Sequence, residues 1–70
     1  MNEHEMLLQL RAALPFSWVQ PTVGRYRWAV YARESFSTRT KRLGVGSTPE
    51  KALEDALTHP EVLNAAEATP

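Results

Sequence analysis

The sequence predicts an α+β domain of order α-β-β-β-α, a three-stranded antiparallel sheet with helices packed on one face. Three observations carry this. Apolar residues recur at helical spacing near the N-terminus, residues 25–33 divide by alternation into an apolar set and an arginine-bearing set, and a strong helix-start signal follows at Thr48-Pro49.

Taking the elements in order, Asn2 followed by Glu5 has the spacing of a capping box. Met6, Leu7, Leu10 and Leu14 then fall on one helical stripe that Pro15 ends, so a first helix is expected over about 3–14. Phe16 to Gln20 is an aromatic and β-branched run closed by Pro21, which confines it to an edge strand. Gly24 marks a turn.

From Arg25 to Arg33, Tyr26, Trp28, Val30 and Ala32 are expected to point into the core. Arg25, Arg27, Ala29, Tyr31 and Arg33 take the other side. Glu34 to Thr38 reads as a polar loop around Phe36. Thr40 to Val45 reads as a third strand with Leu43 and Val45 inward and Thr40 and Arg42 outward, which makes residues 25–45 an antiparallel hairpin.

Thr48 caps a second helix with Pro49 at its first position and Glu50 in its first turn. Its buried stripe is Ala52, Leu53, Ala56 and Leu57. His59-Pro60 interrupts, and Glu61 to Ala66 adds a short helix through Val62 and Leu63. The expected organisation is a single domain over 1–66 with a flexible C-terminal tail at 67–70.

Seventy residues form one small domain. A core of this size rarely supplies more than roughly 3–5 kcal/mol, so a partner chain, for instance in a homodimer, is expected to help. The absence of cysteine excludes disulfides and thiolate metal sites, and His4 and His59 alone do not make a zinc site. No cofactor is expected. There is no apolar run of membrane-spanning length and the N-terminus Met1-Asn2-Glu3-His4-Glu5 is acidic, so the expected location is cytoplasmic, away from membranes.

The formal net charge is zero, yet the charges are segregated along the chain. Residues 24–42 carry Arg25, Arg27, Arg33, Arg39, Lys41 and Arg42 against Glu34 alone, a balance of +5. Residues 43–70 carry a balance of −4. Arginine holds phosphates and guanine edges bidentately, and tyrosine can contact sugar or stack. Arg25, Arg27, Tyr31, Arg33 and Arg42 are therefore the expected nucleic-acid-binding residues of an outward strand face, with duplex DNA as the expected partner.

The competing expectation is a protein-binding module, such as a phage-type inhibitor or adaptor, that offers Phe36, Arg39 and Lys41 to an acidic protein surface. Overall neutrality and the acidic second half speak for it.

Catalysis is not expected. Asp55 and His59 are four apart, but an ion pair near a helix C-terminus accounts for that spacing. Ser47 has no nucleophile-elbow context. Gly44 and Gly46 lack the third glycine of a dinucleotide fingerprint and the lysine of a P-loop, and are read as a tight strand-to-helix connection. Trp28 is assigned to the core by alternation. Trp18 can stack on bases, but its facing does not follow from sequence.

The segments Arg27-Trp28-Ala29-Val30-Tyr31-Ala32-Arg33, Leu43-Gly44 and Thr48-Pro49-Glu50-Lys51-Ala52 resemble the sheet-plus-helix DNA-binding domains of plant ethylene-response factors and of the integrase arm-binding type. That resemblance implies a sheet laid in the major groove, with Arg25, Arg27, Arg33 and Arg42 at the matching positions. The added N-terminal helix, with Gly44, Gly46, Thr48, Ala52 and Ala56, is also similar to a double-stranded-RNA-binding domain. The stretch Pro49-Glu50-Lys51-Ala52-Leu53 departs from that family's lysine cluster, so most of the phosphate-binding lysines it would imply are missing.

Overall fold

Asn2 begins the first helix by accepting, through its side-chain oxygen, the Glu5 backbone N–H at 2.8 Å. This satisfies one of the donors that every helix start leaves unpaired. The computed structural model describes residues 2–33 and 39–68, and its element order is α-β-β-β-α with a further helix. The elements are α1 (Glu3–Ala13), β1 (Ser17–Pro21), β2 (Trp28–Arg33), β3 (Thr40–Gly46), α2 (Pro49–Leu57) and α3 (Pro60–Ala68). Thus α3 continues two residues past the expected domain end at residue 66. Among the described residues no helix is long and apolar enough to cross a membrane.

The strands form one antiparallel sheet of order β1-β2-β3. Helices α1 and α2 pack on one of its faces, and α3 packs against those two helices. Met6 and Leu10 from α1, Ala52, Leu53 and Ala56 from α2, and Val62 from α3 share a core with Val30, Ala32 and Leu43 of the sheet. Leu7, Leu14, Val19, Trp28 and Leu57 pack partly buried around it. Leu63 is half exposed and is not part of this core, because α3 turns only its Val62 side inward.

The corner between α1 and β1 is closed by polar bonds. Ser17, the one buried polar residue among those described, donates its hydroxyl to Leu14 O at 2.8 Å, and Arg11 Nε donates to Ser17 O at 3.1 Å. A buried hydroxyl needs such a partner, since leaving it unmade costs about 1–3 kcal/mol.

Two expected inward residues are corrected by the structure. Tyr26 lies before the start of β2, in the 22–27 connection, and is 44% exposed. The turn through Gly24, whose φ is +119°, delays strand pairing until Trp28. Val45 is displaced by a β-bulge: Val30 faces Gly44 while the next residue, Tyr31, faces Arg42, so Leu43 is an extra residue. A bulge interrupts the two-residue alternation. Leu43 and Gly44 therefore both address the helices, and Val45 pairs with Ala29 on the opposite face.

The glycines of β3 serve close packing and not a left-handed turn, since neither has a positive φ. A Cβ on Gly44 would lie 2.5 Å from Ala56 N and 2.6 Å from Ala52 O. One on Gly46 would lie 2.6 Å from Ala52 N. Helix α2 thus sits directly on the backbone of β3, with alanines facing glycines. As the sequence predicts, α2 starts at Thr48, whose side chain accepts Lys51 N–H, with Pro49 in the first turn.

Candidate nucleic-acid interface

The face of the sheet opposite the helices carries no helix among the described residues, and the strand register fixes what it displays, from the fully buried Ala29 to the exposed Arg33 and Arg42. Residues directly opposed in an antiparallel ladder share a face. Trp18 pairs with Tyr31, and Tyr31 with Arg42, so these three make one row across β1, β2 and β3. The adjacent row on the same face is Gln20, Ala29 and Val45. At the other end Arg33 pairs with Thr40, and its N–H donates to Phe16 O at 2.9 Å, which carries the ladder one residue beyond β1.

The centre of this face is aromatic. The rings of Trp18 and Tyr31 stack with centroids 6.0 Å apart and planes 26° from parallel. Trp18 Nε1 donates to Gln20 Oε1 at 2.8 Å, which holds the indole in orientation along β1. Both rings are half-buried, so each retains accessible surface. Phe16, exposed at 47%, stands at the Arg33 end. Aromatic pairs of this kind contribute about 0.5–1.5 kcal/mol beyond the area they bury.

The expected site residues separate into groups. Tyr31, Arg33 and Arg42 come together on the open face, Arg33 and Arg42 exposed. Arg25 and Arg27 do not lie on a strand, because β2 begins at Trp28. They are exposed in the connection at the Trp28 end, where Arg27 O accepts Thr22 N–H at 2.9 Å. They extend the cationic region beyond the sheet instead of belonging to its face.

The alternative set divides as well. Lys41 pairs with Ala32, a core residue, and so lies on the helical side, where its ammonium forms an ion pair with Glu61 of α3. Arg39 and Lys41 border a shallow cavity of about 280 Å³ together with Leu14, Ala32 and Glu61. Phe36 lies outside the described residues.

Trp18 is the site residue that sequence reasoning left open. Its place became visible only with the register that sets it opposite Tyr31.

Charge completes the picture. Every acidic residue among the described ones (Glu3, Glu5, Glu50, Glu54, Asp55, Glu61 and Glu67) is on a helix. Among the described residues no carboxylate lies on the open sheet face, where Arg33 and Arg42 are exposed. Asp55 and His59 do not pair with each other: Asp55 Oδ2 accepts Val45 N–H at 3.0 Å, and His59 Nδ1 accepts Glu61 N–H at 3.1 Å. Among the described residues no cluster of His, Asp and Glu could hold a metal ion.

Comparisons with protein-family models, curated proteins and solved structures return no match.

Proposed function

We propose that this chain is a small, non-catalytic nucleic-acid-binding protein, accessory or regulatory in role, that meets its ligand with the open face of its sheet. The observation that carries this reading is the segregation of charge by layer. The open face and its adjoining turn bear Arg25, Arg27, Arg33 and Arg42 beside accessible aromatic rings, while the described carboxylates sit on the helices. Phosphates draw such a face electrostatically whatever the base sequence, because each neutralised phosphate releases counterions. A three-stranded face about 10 Å across, from strand spacings near 4.8 Å, matches the roughly 12 Å width of the major groove, which makes duplex DNA a ligand of suitable shape.

The test is titration of the wild-type chain with labelled duplex and single-stranded DNA at about 50 mM salt, where phosphate contacts are strong. Binding of either form supports the reading. If neither binds, the nucleic-acid reading fails and the same face is reassigned to an acidic protein partner.

A further inference from the structure

The cross-strand row at the centre of the open face says more than its charge does. Two of its three members, Trp18 and Tyr31, present ring surface; with the indole N–H taken by Gln20, the donors left in this row are the Tyr31 hydroxyl and the Arg42 guanidinium. Direct reading of a duplex in the major groove uses side-chain donors and acceptors that reach base edges. The ring faces in the middle of the contact supply none, and the Tyr31 hydroxyl alone replaces few of the hydrogen bonds that base edges lose on desolvation. Unpaired bases have free π faces, and stacking on an aromatic side chain is tolerant of base identity.

The arrangement supports such stacking. The hydrogen bond to Gln20 Oε1 uses the indole N–H in the plane of the ring and leaves the ring surface free of that bond. Tyr31 backs the indole at 6.0 Å. Arg42 in the same row and Arg33 two pairs further along are exposed cations beside the rings, suited to the phosphates of a strand whose bases lie on them. Phe16, opposite Arg33, adds a further ring at that end.

Resting on the nucleic-acid reading above, we infer that the preferred ligand is a single-stranded segment. One base stacks on the Trp18–Tyr31 pair, and Arg33 and Arg42 hold the flanking phosphates. Duplex DNA binds the same face chiefly through charge, and more weakly.

The experiment compares a deoxythymidine strand of about ten nucleotides, within the usual span of a single-strand site, with a blunt hairpin duplex of equal phosphate number. Anisotropy gives affinity and intrinsic tryptophan fluorescence reports stacking. The single strand is expected to bind about tenfold or more tightly and to quench the emission, as one stacked base supplies that factor. Trp18→Ala is expected to lose about that factor for the single strand and to lower duplex affinity by a much smaller factor. Trp18→Phe, which keeps a ring, is expected to restore most of it. Should Trp18→Ala fail to fold, the quenching and the Trp18→Phe affinity still decide.

Equal or tighter duplex binding, or unchanged single-strand affinity in folded Trp18→Ala, overturns this inference and leaves the nucleic-acid reading intact. If neither ligand binds, both fall.

Discussion

Gly44 and Ala56 meet backbone to backbone: a methyl group placed on Gly44 would come within 2.5 Å of the Ala56 nitrogen. No side-chain rotation relieves such a contact, because a main-chain atom stands in the way. Gly44→Ala must push α2 off the sheet, and α2 contributes Ala52, Leu53 and Ala56 to the core. The expected loss is about 1–3 kcal/mol or more, the range for overpacking a tight interior. Urea denaturation should register it as a lower midpoint, with Gly46→Ala behaving alike. Gly24→Ala offers the contrast: nothing crowds its Cβ, so only the backbone strain of φ +119° remains.

Depth of burial, not side-chain size, should rank the core substitutions. Leu10 and Leu53 are fully buried, whereas Trp28 is partly exposed at the margin of the core. Leu10→Ala and Leu53→Ala are expected to cost about 2–5 kcal/mol. Trp28→Ala should fall below the roughly 3–5 kcal/mol typical of a buried aromatic. Thermal or urea unfolding that ranks Trp28→Ala above both leucine variants would contradict the packing described.

Two polar contacts between sheet and helix should differ in weight. The Lys41–Glu61 pair joins side chains that are 55% and 49% exposed, so Lys41→Ala should change stability by less than about 1 kcal/mol, with the difference fading in salt. The Asp55 carboxylate instead accepts a backbone N–H of β3 at 3.0 Å. Asp55→Ala is expected to cost about 1 kcal/mol, the ordinary worth of a hydrogen bond, with little dependence on salt. Denaturation of both variants at low and high ionic strength separates the two behaviours.

On the nucleic-acid reading, the arginines act as countable phosphate contacts. Arg33→Gln with Arg42→Gln should reduce the log–log salt slope of duplex binding by about 1.8, from about 0.9 per contact. Arg25→Gln with Arg27→Gln should remove a comparable share independently, since those residues lie in the turn and not on the face. Neither pair should alter the circular dichroism spectrum. An unchanged slope in both double variants would remove the arginines from the interface.

Much of this architecture was legible from local chemistry. The Asn2 and Thr48 caps, Pro49, and the alternation through Val30 and Ala32 each act over a few residues, and each is found where the sequence indicates. What could not be read depended on partners distant in sequence. Period two over Leu43 and Val45 sends both inward, but the bulge opposite Val30 and Tyr31 sends Leu43 and Gly44 inward instead. Strand pairing, not apolar alternation, decided where β2 begins, and this moved Arg25, Tyr26 and Arg27 off the sheet. The open face was only half visible: Tyr31, Arg33 and Arg42 follow from alternation, whereas Trp18 joins them through a register that no local pattern announces.

The Asp55–Val45 bond also bears on how this molecule keeps to itself. An open three-stranded sheet ends in two strands that invite a neighbour's strand to add on, which is the first step toward fibrous aggregation. On β3 the N–H of Val45 is already occupied by a carboxylate from the protein's own helix. On β1 the final residue, Pro21, has no N–H to offer. Each border of the sheet thus carries a stop. An incoming strand would have to expel a charged side chain on one side, and would lack a donor on the other.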